Sequence, residues 1–189
     1  MSDLYFELET QLNPALRRGD LKSCFRKADE VLARLPESPF HLIRSLSITN
    51  DPLEVAQYFD EFFEQAEQQF KIAAAYTETN GFEINPDRWF FNPFAYEAYG
   101  GHDDYDWLAD WQAERQSFMT ITGLEPLQAV YASEVGHSEQ YRDAWDIAGL
   151  LVVLQFQRLI KQAADHMERL RFPLLATAHD RDFLFEYLP

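Results

Sequence analysis

Between Tyr141 and Ala163 apolar residues recur at helical spacing (Tyr141, Trp145, Ala148, Val152, Phe156, Leu159, Ala163), and the stretch from Ile147 to Leu154 carries no polar side chain. A helix with one apolar stripe lies on a surface, whereas a helix apolar all round has to be encircled by other elements. Ser138 is a good N-cap ahead of it. The spacing therefore predicts a central helix from about Ser138 to Glu168. Its apolar run is far short of the roughly 20 residues that span a bilayer. Everything else in the chain has to supply the surroundings.

Most of the remaining pattern is helical too. Asp20 caps a helix marked by Leu21, Phe25, Ala28, Leu32 and Leu35 and closed by Pro36. Asn13-Pro14 is expected to break a short helix over Asp3 to Leu12. Pro39 to Ile48 reads as a short helix or irregular connector. Asp51-Pro52-Leu53-Glu54 has cap, N1 proline and N3 glutamate in order, opening a helix expected to run to about Thr77 with Val55, Phe59, Phe62, Ala66 and Phe70 on one face. From Phe82 to Gly101 periodicity is lost, and Pro86, Pro93 and Gly100-Gly101 mark a long irregular segment. A short helix is expected from Asp104 or Asp106 to Arg115, a β-rich run at Phe118 to Thr122, and another short helix at Leu124 to Ala132. Two short β-like runs around His179-Asp180-Arg181-Asp182 predict a hairpin near the C-terminus. The expected fold is mainly α: a single-domain helical bundle over residues 1–189 around the central helix, with one small antiparallel hairpin.

Gly19, Ala28 and Pro36 resemble the spacing of a tetratricopeptide helix pair over at most 25 residues. Ala28 is too small for the position it would fill, and no second copy recurs at a period of about 34 residues, so an array is not expected. A lone Cys24 among apolar helix positions fits a buried structural thiol and a reducing compartment. The acidic first residues lack the basic start and apolar stretch of a signal peptide. The expectation is a soluble, cytoplasmic protein.

Charge is what differentiates the chain. Of 32 acids and 16 bases, residues 1–44 hold seven of each, while residues 45–114 hold fifteen acids against only Lys71 and Arg88. Nucleic acids and anionic membranes both need a basic footprint, so neither is expected as a partner. The acidic segment also holds ten aromatics between Phe82 and Trp111, interleaved with Glu83, Asp87, Glu97, Asp103, Asp104, Asp106 and Asp110. Large rings in an irregular segment anchor it to a core. Acids beside them steer a basic protein partner.

Chemistry-bearing motifs are sparse. Gly100 to Asp106 lacks the internal glycine and closing glutamate of a calcium loop. His179-Asp180 with Asp182 is the one compact His/Asp cluster on an expected turn. Together with His102, Asp103 and Glu134 it is the sole candidate for a metal or acid–base site. No metalloprotease, serine-hydrolase or phosphate-loop motif occurs, and no cofactor is expected. The leading expectation is thus a non-enzymatic acidic binding protein, of the inhibitor or immunity type, that masks a basic partner through Asp103, Asp104, Asp106, Trp107, Asp110 and Trp111. The alternatives are a hydrolase centred on His102, His179 and Asp180, with or without a divalent ion, and a helical scaffold without a dedicated site.

Overall fold

The central helix is where the apolar pattern puts it. In the computed structural model, which describes residues 1–82, 87–101, 104–179 and 181–189 (for His137 the backbone alone), α5 spans Arg142–Ala164. Every residue from Ala144 to Gln157 is buried. Its first turn starts later than Ser138 because Glu139–Tyr141 form a 3-10 turn instead. Around it lie α1 (Asp3–Leu16), α2 (Leu21–Leu32) and α3 (Pro52–Glu67), while the short α4 (Glu125–Tyr131) packs on the 3-10 helix Pro39–Ser45.

The caps are those the residue types dictate. Asp20 accepts from the Ser23 amide at 3.1 Å and Asp51 from the Leu53 amide at 2.9 Å, with Pro52 at N1. Pro14 does not break α1, contrary to expectation. It falls in the last turn, where only one backbone hydrogen bond is lost before the helix ends anyway. His41 is structural: its Nδ1 accepts from the Ser38 amide and its Nε2 faces the Leu32 carbonyl at 2.8 Å, holding the 3-10 helix Pro39–Ser45 under the end of α2.

The helical-bundle expectation is overturned by a six-stranded mixed sheet, which makes this an α+β fold. Its strands are β1 (Ala74–Thr79), β2 (Phe90–Tyr96), β3 (Ala113–Glu114), β4 (Met119–Thr120), β5 (Leu174–Ala178) and β6 (Phe185–Tyr187). The order is β3-β2-β1-β5-β6, with β4 also on β2; β1 and β5 are parallel and the other pairs antiparallel. The C-terminal hairpin is present, as β5 and β6, but it is two strands of a larger sheet. α3 ends at Glu67, ten residues before the expected Thr77, because Ala74 to Thr79 extend as the strand between β2 and β5.

β2 runs through Pro93, which the sequence pattern suggested was a breaker. The Pro93 carbonyl accepts from the Arg115 amide at 3.1 Å, but a proline has no N–H to give back. The outer ladder stops there: β3 pairs at Phe94 and Ala95, and pairing resumes only at Phe91 with β4. One missing hydrogen splits the edge strand in two.

The sheet has two different faces. Ala75, Phe91, Ala95, Leu174, Ala176 and Phe185 join the helical core. Ala74, Tyr76, Phe94, Tyr96, Leu175 and Leu184 form a second, smaller apolar cluster on the opposite face, against which Tyr105, Trp107 and Leu108 pack. What covers this outer face is the acidic, aromatic segment.

Candidate binding face

After β2 the chain doubles back over the sheet. The Glu97 amide donates to the Gln112 side chain at 2.7 Å and the Gln112 amide to the Ala95 carbonyl at 3.0 Å, closing the two ends of this cap. Asp106–Ala109 form a single 3-10 turn rather than the helix to Arg115 that the sequence suggested. Trp107 is the cap's inner anchor. Its ring lies edge-on to Tyr96 at 4.9 Å and Tyr99 at 5.6 Å, and its Nε1 donates to the Gly101 carbonyl at 3.2 Å. The Tyr96 hydroxyl, its pKa raised by burial, donates to the Leu108 carbonyl at 2.9 Å. Gly100 has to be glycine here, since a Cβ would fall 2.2 Å from Trp107 Cδ1.

The acids of the cap point the other way. Asp104, Asp106 and Asp110 are all exposed, and Asp104 Oδ1 accepts from the Asp106 amide at 2.9 Å, which fixes the turn. Trp111 lies edge-on to Phe94 at 5.4 Å yet is 46% exposed. The two tryptophans proposed for partner contact therefore differ: Trp107 is the half-buried anchor and Trp111 the one that offers a face. Asp103 lies outside the described residues.

Beside the cap is a polar cluster that the sequence pattern did not single out. Tyr99, 39% exposed, donates its hydroxyl to Glu186 of β6, and its pKa is raised by burial and then by that carboxylate. Tyr76 donates to Glu78 Oε2 at 2.6 Å, and Glu78 Oε1 lies 2.9 Å from His179 Nδ1. Register explains the grouping: Tyr76 and Glu78 alternate onto the outer face of β1, and Glu186 pairs opposite Leu175 of the same cluster. Only the strand assignment could have revealed it.

Of the residues named for hydrolysis, His179 stands at the end of β5 in the pair with Glu78, while His102 and Asp180 lie outside the described residues. Among the described residues no group of three or more His, Cys, Asp or Glu side chains is placed to hold a metal ion. Cys24 is buried, its thiol pushed up to about 11 by that burial. Nor is any helix among the described residues long and apolar enough to cross a membrane.

No family model, curated protein or solved structure matches the chain.

Proposed function

We propose that the protein is a non-enzymatic, cytoplasmic binding protein that docks the capped outer face of its sheet onto a basic surface of a partner protein and masks it, as an inhibitor or immunity protein does. The observation that carries this reading is the two-sided build of the cap. Its rings are pinned to the sheet through Trp107, while Asp104, Asp106 and Asp110 stand exposed on the same segment as the accessible rings of Tyr99 and Trp111. Rigid aromatic area ringed by charge is the composition of a binding face: rings anchor, and rim charges steer the encounter. Acids meeting solvent rather than one another suit recognition better than proton transfer, which needs carboxylates gathered around a reacting atom.

The test begins with capture of a basic protein from the native lysate at low salt, followed by association kinetics with the purified partner. Changing Asp103, Asp104, Asp106 and Asp110 together to Asn should leave folding intact and slow association, with a weaker dependence on salt. Trp111→Ala should speed dissociation by about tenfold, the scale of a peripheral-to-central aromatic anchor. If the quadruple variant captures the same protein with unchanged rates, the acids are ordinary solvated surface and the reading fails.

A further inference from the structure

Where α2 meets the C-terminal half of α5 the charge reverses. A groove of about 680 Å³ opens between the start of α2 and the C-terminal half of α5, floored by Leu21, Phe25 and Leu154. Lys22, Arg26, Arg158 and Lys161 line it, with Asp20 as its one acid. Asp20 is engaged in capping α2. Lys161 is held in place by donating to the Gly19 carbonyl at 3.1 Å, which leaves two of its three donors free to serve the groove. Arg158 lies 6.0 Å above the Phe25 ring.

This arrangement works against the fold in three ways. Lys22 and Arg26 are like charges one turn apart on α2, and like charges at that spacing repel. Lys22 also occupies the first turn, where the helix dipole disfavours a cation. Arg158 and Lys161 repeat the repulsion on the facing helix at a spacing of three. The chain has 32 acids for 16 bases, yet Lys22, Arg26 and Arg158 form no ion pair among the described residues. Asp20, within coulombic reach of Arg26, offsets one of these charges, and the conflict that remains marks a place where function outweighs stability. An anion from outside the chain would relieve it.

We propose that the groove binds a nucleoside polyphosphate, its phosphates among Lys22, Arg26, Arg158 and Lys161 and its base against the half-buried Phe25 ring. Three considerations select that class. The volume lies within the roughly 300–1,000 Å³ of small-ligand sites. Four cations and one carboxylate leave a rim of +3, which matches the roughly three negative charges of a nucleoside diphosphate, counted from its phosphate ionisations. The apolar floor, with an aromatic ring beneath a guanidinium, offers flat surfaces for a base that a bare phosphate would not use. The groove shares no lining residue with the acidic cap, and the proposal does not depend on the partner-masking role.

Calorimetric titration of the full chain with ADP tests this, with pyrophosphate and adenosine as separate arms. ADP should bind saturably, about tenfold or more tighter than either fragment, and more weakly at about 0.15 M salt than at low salt. The Arg26→Gln, Arg158→Gln double variant should lose about tenfold or more of that affinity, while its unliganded melting temperature equals or exceeds the parent's because the repulsion is relieved. The Asp104, Asp106, Asp110 to Asn variant should bind ADP as the parent does. The proposal is overturned if ADP gives no saturable heat, if pyrophosphate binds as tightly as ADP, if the double variant binds unchanged, or if that variant melts lower without ligand, which would make the cations structural.

Discussion

Gln157 has no exposed surface, and its Nε2 donates to the carbonyls of Ala176 at 3.1 Å and Phe183 at 2.7 Å, clamping α5 to β5 and to the segment leading into β6. Gln155, two residues earlier, does the same for another neighbour: it accepts from the Ile48 amide at 2.9 Å and donates to the Leu46 carbonyl at 3.1 Å. Gln157→Leu fits the volume but removes both hydrogen bonds, and although the Phe183 carbonyl keeps the Thr177 hydroxyl at 2.9 Å, their loss should cost about 1–2 kcal/mol in urea unfolding. Gly100→Ala probes the cap. A methyl group 2.2 Å from Trp107 has to push the indole off the sheet. Overpacking of this kind should cost about 1–3 kcal/mol, read as lower stability with a red-shifted tryptophan emission. Neither role is legible in sequence. A glutamine in an apolar helix and a glycine in a loop acquire their meaning from residues far along the chain.

At the scale of elements, α5 was the most legible part because its signal is local and repeated. Leu151 is fully buried in the helical core, so Leu151→Ala should lose about 2–5 kcal/mol, and a loss far below one would show the helix to be peripheral. The same logic explains what was misread. Beyond Glu67 the residues Phe70 to Ala75 are compatible with more helix, and only Tyr76, Thr77 and Thr79 favour a strand. Pairing with β2 and β5 decides the matter, and neither partner is visible locally. β2 was hidden by Pro93, whose place beside a gap in the outer ladder is a property of the sheet and not of the heptapeptide. Of the candidate binding face, the acids and rings were readable as a cluster. That Trp107 turns inward and Trp111 outward follows from the sheet lying beneath them. The Tyr76–Glu78–His179 chain needed the strand register.

For the molecule as a whole, alkaline pH should be the sharper challenge. Burial pushes the phenols of Tyr5 and Tyr58 up to about 12. Above about pH 10 an unfolded chain releases those protons while the folded one keeps them, so stability is full below pH 10 and falls as pH climbs towards 12. Each ring accounts for about 2–3 kcal/mol across that window. Tyrosinate absorbance and unfolding should therefore rise together, and ionisation of both rings near pH 10 with the fold intact would refute their burial. The sheet carries a consequence of a different kind, for synthesis on the ribosome. β1 meets β2 across a short connection, but Thr77 and its parallel neighbour Ala176 are 99 residues apart. At about 5–20 residues per second, β1 waits some 5–20 seconds for β5. During that interval an interior strand is an open edge bearing Tyr76 and Thr77, with unpaired amides available to any other nascent chain. The nascent chain is most vulnerable to aggregation during this delay, before β5 and α5, the latter standing between β1 and β5 in sequence, have both emerged.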